Sequence, residues 1–200
     1  MPWSGADVPS KARDWKRNAV ILAAARAFST RGYHNTSLDD LAAALNVTKP
    51  TIYAYVAGKE ELLFECFRQG VDQILAGFEE AEHHGGNARE RLMTVARHYA
   101  IAVTGDFGWC MVRLEEEDLG KSMSAKIKSL KSEVDQGLRR LIRQGVTDGS
   151  IRSCDPKMAA FALAGALNWI AHWHRANDAL SPEEIATRVL EIFELGLAPR

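Results

Sequence analysis

Residues 37–55 concentrate hydroxyl, ammonium and phenol side chains in the N-terminal third of the chain. Ile52 and Val56 are one helical turn apart, so they predict the inward face of a short helix over 48–56 and place the polar side chains outside. That outer set contains no carboxylate. Its groups suit phosphate oxygens and base edges, and a helix of this width fits the major groove of DNA. The set comprises Thr48, Lys49, Thr51, Tyr53 and Tyr55.

A preceding helix is predicted by four apolar residues at i, i+3, i+4 and i+7. Ser37 can accept an N–H of its first turn, and Asn46 tolerates the left-handed conformation that ends a helix. Thr48 is the natural cap of the following helix, whose first turn contains Pro50. The pair therefore predicts a helix-turn-helix over 37–56 with its second helix as the recognition helix, and an ordinary helical hairpin fits the local pattern about equally well. The four apolar residues are Leu38, Leu41, Ala42 and Leu45.

The size and charge of the chain agree with a small DNA-binding domain joined to a larger domain. Two hundred residues, 46% of them hydrophobic, can bury a sizeable core as one domain or two small ones. Residues 1–60 hold eight Lys/Arg against five Asp/Glu, whereas residues 61–200 hold seventeen against twenty-one. Since the N-terminal excess is modest, one copy should bind DNA weakly, and pairing two copies on one duplex would raise the affinity.

Several other classes of protein find little support. Cys66, Cys110 and Cys154 lack ligand spacing and predict packed thiols in a reducing cytoplasm. No apolar run reaches the roughly 18 residues of a membrane span. The side chains of His83-His84 and of the acidic run 115–118 diverge on a helix, so no metal or other cofactor is expected. Without a GxSxG, P-loop or HExxH motif, we expect no enzyme.

Helical periodicity continues through the chain, and no strand pattern appears. The first 13 residues read as a flexible arm, whose Lys11 and Arg13 either reach a minor groove or serve no purpose. We therefore expect an all-α protein of about nine helices, with a helix-turn-helix domain over 14–60 and a ligand-binding and dimerisation domain over 61–200. Besides the two helices of the helix-turn-helix, helices are predicted at about 14–31, 59–82, 88–104, 109–119, 122–145, 156–175 and 182–197.

The last two predicted helices are apolar on more than one face. One side can face the protein's own core, and the other a second subunit, which predicts a homodimer through residues 156–197. The helices of the C-terminal domain also carry large apolar groups with a few polar ones, the composition of a ligand cavity, although most of these groups must simply be core. The candidate ligand residues are Phe67, Phe78, His98, Tyr99, Phe107, Met111, Arg113, Asn168, Trp169 and Trp173.

The segment RGYHNTSLDDLAAALNVTKPTIYAYVAGKEELL closely resembles the N-terminal DNA-binding domain of the tetracycline-repressor (TetR) family. The resemblance implies that Thr48, Lys49 and Thr51 touch bases or adjacent phosphates and that the two tyrosines touch the DNA backbone. Asn46 stands where the family usually has Gly, and Ala54 and Val56 replace commoner larger residues, so the operator sequence does not carry over. The predicted DNA-binding set is completed by Ser37, Pro50 and Lys59, the last as a phosphate contact at the start of the fourth helix.

The block from Gly149 resembles the C-terminal segment of TetR-type regulators of fatty-acid, sterol and aromatic-acid breakdown, many of which bind acyl-CoA thioesters. This resemblance suggests an acyl-CoA or a related hydrophobic carboxylate as effector, with Arg113 or Arg175 as partner for anionic groups. An apolar drug, or a cavity of purely structural origin, remains an alternative. The matching residues are Arg152, Asp155-Pro156, Asn168-Trp169, Trp173, Arg175 and Ser181-Pro182-Glu183-Glu184.

These expectations combine into a cytoplasmic, homodimeric transcriptional repressor. It would bind a palindromic double-stranded DNA operator and release it when a hydrophobic effector favours an unsuitable spacing of the two reading helices. Two competing classes are a helical binding or scaffold protein without a DNA function, and an all-α enzyme that uses the region of His98 and Arg113.

Overall fold

Nine α-helices and no strand make up the part of the chain that the computed structural model describes, residues 10–114, 119–174 and 179–195. The predicted all-α class is confirmed. In chain order the helices are α1 Ser10–Arg31, α2 Leu38–Ala44, α3 Lys49–Tyr53, α4 Lys59–His84, α5 Ala88–Thr104, α6 Gly108–Arg113, α7 Lys121–Asp148, α8 Pro156–Trp173 and α9 Pro182–Leu195.

Some helix ends differ from the predictions. α1 begins at Ser10, directly after Pro9, so residues 10–13 are helical and not part of an arm; residues 1–9 lie outside the described part. α3 has only five residues, whereas the prediction extended over 48–56.

The predictions for α6 and α8 were also too long. α6 was expected to reach residue 119, but it ends at Arg113 because Leu114 takes an extended conformation. α8 ends two residues early for the same reason, since His174 is extended. The acidic run 115–118 and Arg175 lie outside the described residues.

Helices α1, α2 and α3 form a small unit, called here the head, around the fully buried side chains of Phe28, Leu41 and Ile52. Two helix ends in it depend on left-handed backbone. Gly32 (φ 81°) ends α1 and Asn46 (φ 53°) follows α2, as the sequence predicted. These two stops set the directions in which the chain enters and leaves α2.

Helix α4 belongs to the head and to the remainder of the protein, called here the body (α5–α9). Its 26 residues span about 39 Å at about 1.5 Å per residue. It packs against α1 of the head and against α5, α6 and α7 of the body. Any movement of α4 in the body is therefore transmitted to the head.

An ion-pair network fastens α1 to α4. Arg17 bonds Glu65 at 3.2 Å and Glu61 at 3.4 Å, and Arg68 bonds Glu65 at 2.8 Å. Burial acts to raise the pKa of Glu65, but the hydrogen bonds from Arg17 and Arg68 outweigh it and lower that pKa. Glu65 thus stays ionised although it is buried, and removing either arginine would leave its charge less compensated.

The body is a bundle centred on α5, which contacts α4, α7, α8 and α9. Glycines let the helices approach closely: Gly70 of α4 lies against Met111, and Gly77 lies against His98 of α5. Cys66 and Cys110 are buried free thiols, as predicted. Within the described ranges, no helix is both long and apolar enough to cross a bilayer.

Candidate nucleic-acid interface and effector-binding body

Hydrogen bonds fix both ends of α2, through a side-chain cap at its start and a backbone bond in the turn that leads to α3. The Ser37 hydroxyl accepts the Asp40 N–H at 3.1 Å, and the Asp40 carboxylate accepts the Ser37 N–H at 2.8 Å, which makes a complete capping box. The Val47 N–H donates to the Ala42 carbonyl at 2.9 Å and closes the turn. The predicted cap at Ser37 is therefore present, and its hydroxyl also donates to Asp40 at 2.7 Å.

The outer face of α3 is open to solvent. Ile52 and Val56 are buried at 0% and 3% exposure, which fixes the inward face as predicted. Tyr53 is 51% exposed, a high value for so large an apolar ring. Thr48, Lys49 and Pro50 are also exposed, whereas Thr51 and Tyr55 are half-buried. The residue types suited to DNA thus lie together at the surface, and their contact with DNA stays a prediction.

Thr48 occupies the N-cap position of α3, but its side chain does not cap the helix. The Thr48 hydroxyl lies 2.9 Å from the Thr51 hydroxyl and shares a hydrogen bond with it. The predicted capping bond is therefore wrong, because the two hydroxyls prefer each other to the backbone. The pairing holds both oxygens side by side on the open face.

Lys49 has a partner that sequence reasoning missed. Its ammonium donates to the Asp39 carboxylate of α2 at 2.8 Å, in an exposed ion pair. The hydrogen bond with Asp39 raises the pKa of Lys49. The sequence placed Asp39 only at the start of α2, and the turn brings it to Lys49 ten residues later. A DNA phosphate must therefore compete with Asp39 for this ammonium.

Lys59, at the start of α4, is held close to the head. Its ammonium lies 4.1 Å from the centre of the Tyr33 ring and donates to the His34 carbonyl at 3.4 Å. These contacts hold the side chain against the loop between α1 and α2. It remains suited to the phosphate contact that the sequence predicts.

The predicted ligand residues in the body occupy different environments. Phe67, Tyr99 and Phe107 are buried in the core. Tyr99 hydrogen-bonds Asn168 of α8, and burial raises its pKa in spite of that bond. Phe78 packs beside Gly137 of α7, as Met111 does beside Gly70. These side chains form the contact surfaces between helices of the bundle.

His98 is engaged at the surface between α4 and α5. One ring nitrogen lies 2.8 Å from the Glu80 carboxylate, and the other lies 3.3 Å from the Gln73 carbonyl. The hydrogen bond from His98 lowers the pKa of Glu80. Arg113 lies elsewhere, in an open cleft of about 440 Å³ that none of the other nine candidates lines.

Helices α8 and α9 leave large apolar side chains uncovered. Trp169 is 63% exposed and its ring stacks on His172, with ring centres 4.6 Å apart. Trp173 is also exposed, so two of the predicted ligand residues lie on this outer surface. A concentration of exposed apolar groups on two neighbouring helices is typical of an interaction surface. The exposed apolar residues of the two helices are Met158, Phe161, Trp169, Trp173, Ile192, Phe193 and Leu195.

A capped helix-turn-helix whose second helix presents hydroxyls, an ammonium and a phenol, joined by a shared helix to an all-α body, is the arrangement of a DNA-binding transcriptional regulator. Two family models support this class. The model for bacterial regulatory proteins of the tetR family matches residues 20–66, and the model for a tetracyclin repressor-like C-terminal domain matches residues 85–197. The chain belongs to the TetR family.

Several relatives show how far the likeness extends. The Fatty acid metabolism regulator protein of Bacillus subtilis is 23% identical over 182 residues, covering 89% of this chain and 93% of the relative. The TetR family regulator PfmR from Thermus thermophilus superposes with a TM-score of 0.82 at 27% identity, over 90% of this chain and 99% of that one. AibR, in complex with isovaleryl coenzyme A and operator DNA, is 30% identical with a TM-score of 0.75, over 88% of this chain and 97% of that one.

The Lys49–Asp39 pair yields a prediction about affinity. Asp39→Asn should tighten DNA binding by about two- to fivefold, because it frees the Lys49 ammonium and removes a carboxylate that repels phosphates. Fluorescence anisotropy with a labelled operator duplex measures the change. Asp72→Asn is the matched control, since Asp72 is paired with Arg68 on α4, and it should leave affinity unchanged. Equal affinity of Asp39→Asn and wild type would contradict the competition.

Proposed function

We propose that this protein is a homodimeric repressor that binds a palindromic operator and releases it when an acyl-CoA thioester binds the body. The observation that carries the DNA function is the uncovered outer face of α3, where Lys49 and Tyr53 are exposed above buried Ile52. Hydroxyls, an ammonium and a phenol there can reach phosphates and base edges. Membership of a family of DNA-binding regulators supports the same conclusion.

The proposed dimer buries the exposed apolar face of α8 and α9 against a second copy. Trp169 and Phe161 are 63% and 51% exposed in the single chain, an unfavourable arrangement for large apolar rings in water. A two-fold axis through this face would place two heads on one side of the dimer, so that two α3 helices enter successive major grooves about 34 Å apart. Pairing compensates for the modest charge of one head.

The proposed effector class is supported by relatives and by the position of Arg113. AibR is seen with isovaleryl coenzyme A, and the Bacillus subtilis relative regulates fatty-acid metabolism. Arg113, the suggested partner for anionic groups, is exposed and lines an open cleft. Because the AibR complex holds both thioester and DNA, ligand binding does not by itself imply release. The test must measure operator affinity with and without ligand.

Release requires that the ligand prefer one head spacing over another. A ligand with equal affinity for two conformations does not shift the equilibrium between them, however tightly it binds. Helix α4 is the element that can convey the preference, because it packs on α1 at one end and on the body helices along its length.

The recognition face is tested by removing its charge and its ring. Lys49→Ala and Tyr53→Ala should each weaken operator binding by about tenfold, and Lys49→Ala should also make the salt dependence shallower by about 0.9 for each phosphate that is no longer neutralised. Gel shifts at several salt concentrations measure both effects. Lys121→Ala, at an exposed position of α7, removes the same charge away from the head and serves as control. Unchanged affinity in both head variants would remove α3 as the recognition helix.

The dimer face is tested by placing a charge in it. Trp169→Glu should convert the protein to monomers, because burying an unpaired carboxylate in an apolar interface costs far more than exposing it, and operator affinity should fall with it. Sedimentation velocity gives the mass. Trp15→Glu is the matched control, since Trp15 is 61% exposed on α1, and it should remain dimeric. A dimer that survives Trp169→Glu would place the interface elsewhere.

The effector class is tested with acyl-CoAs of graded chain length, against the corresponding free acids. A ligand at about 100 times its Kd should stabilise the folded protein by about 2.7 kcal/mol and raise its Tm. The stabilising thioester should also weaken operator binding in a gel shift. Stabilisation without loss of operator affinity would refute release. If free acids or apolar compounds stabilise and no thioester does, the thioester assignment fails and the DNA function stands.

A further inference from the structure

A polar cleft of about 440 Å³ opens where the head meets the body. One wall is the C-terminal part of α1, with Arg26 and Ser29. The other wall belongs to the body and includes Asp106 from the loop after α5 and both Trp109 and Arg113 from α6. The volume falls within the range of about 300–1,000 Å³ that is usual for small-molecule sites, which also favour domain junctions.

The hydrogen-bonding groups of the cleft are suited to an anion. Of the described residues that line it, two carry guanidinium groups, Arg26 and Arg113, and one carries a carboxylate, Asp106. Thr30 and Thr104 also line the cleft, but their hydroxyls donate to carbonyls of their own helices. Ser29 is therefore the hydroxyl best able to donate to a ligand. Guanidinium groups bind phosphate through paired, charge-assisted hydrogen bonds.

One of the two arginines ties the head to the body. Arg26 donates to both oxygens of Asp106, at 2.9 and 3.3 Å, and this bond raises the pKa of Arg26. Both side chains are substantially exposed, so the pair contributes little to stability and can be displaced. Among the described residues, Arg113 has no ion pair, and its side chain is exposed.

We propose that this junction cleft binds the phosphate of a nucleotide-like ligand between Arg26 and Arg113, with the phosphate displacing Asp106 from Arg26. Ser29 donates a further hydrogen bond, and the Trp109 ring forms an aromatic wall against which a base can lie. Two sources share this chemistry, the coenzyme A headgroup of an acyl-CoA and a free nucleotide. Only the first rests on the effector class proposed above.

Binding at this place acts on the head directly. The Arg26–Asp106 pair is a polar contact between α1 and the body, and losing it removes one restraint on the orientation of the head. A ligand that breaks the pair is linked to operator binding when the head orientation that binds DNA keeps the pair, and this linkage is reciprocal. Ligand binding in the cleft can thus affect DNA binding through the Arg26–Asp106 pair, separately from any movement of α4.

Titration calorimetry of the full-length protein with coenzyme A, adenosine 3′,5′-bisphosphate and inorganic phosphate tests the site. Coenzyme A and the bisphosphate should bind wild type, and Arg26→Ala and Arg113→Ala should each weaken that binding by about tenfold or more. Asp106→Asn should tighten it, because the competing carboxylate is gone. Arg97→Ala, which removes the same charge from an exposed position of α5 outside the cleft, should leave it unchanged.

The variants separate the two sources. If Arg113→Ala weakens the binding of an acyl-CoA and of the bisphosphate to the same extent, the cleft holds the coenzyme A headgroup. If Arg113→Ala weakens only the binding of the bisphosphate, the ligand of the cleft is a free nucleotide. The site is overturned if none of the three probes binds, or if wild type and all four variants bind them equally.

The result also separates this site from the effector proposal. Stabilisation by an acyl-CoA that survives Arg26→Ala and Arg113→Ala, with no binding of the bisphosphate, would end the cleft site and leave the effector class intact. Binding of the bisphosphate that depends on the two arginines, with no stabilisation by any thioester, would support the cleft site and exclude the thioester effector. Circular dichroism melts of each variant confirm that the exposed substitutions leave the fold intact.

Discussion

The burial of α4 against two partners at once is the constraint on which the rest of this structure depends. Its first turns carry Leu62 and Leu63, which are fully buried, and Ile74 and Ala81 are buried further along. Contacts with α1 on one side and with α5, α6 and α7 on the other use the same rigid rod. Since a packed helix moves as a unit, head and body cannot rearrange independently.

Among the described helices, two surfaces remain uncovered once these contacts are made, and they differ in character. The outer face of α3 presents hydroxyls, an ammonium and a phenol, whereas α8 and α9 present aromatic and aliphatic groups. Water solvates the first surface readily and the second poorly. The polar surface therefore suits a charged partner that comes and goes, and the apolar surface suits a lasting contact with another copy.

The features predictable from sequence were those that depend on neighbours along the chain. Helical periodicity gave the helices, and Gly32 and Asn46 stopped two of them because few residues tolerate a positive φ. The start of α9 is equally local, because the Ser181 hydroxyl accepts the Glu184 N–H and the Glu184 carboxylate accepts the Ser181 N–H. Helix ends such as that of α6 were missed, because Leu114 and His174 carry no local signal for leaving a helix.

Features that depend on distant residues could not be predicted in this way. The Lys49–Asp39 pair needs the turn geometry, and the Arg26–Asp106 pair joins residues 80 positions apart. The sequence did not show whether Trp169 is exposed or lines a cavity. The pattern of a helix that is apolar on all sides does not indicate which side is covered by its own chain. The inward and outward faces of α3 were easier to predict, because its polar residues are set against only two buried ones, Ile52 and Val56.

The brevity of α3 has a consequence for the information content of an operator. Five helical residues extend about 7.5 Å, roughly the rise of two base pairs at about 3.4 Å each. If α3 is the recognition helix, as proposed, a single protomer can contact only a short base sequence, which recurs by chance throughout any genome. In the proposed dimer, discrimination would come from requiring that sequence twice, in opposite orientation and at one separation, so the length of the uncontacted spacer would be as selective as the contacted bases.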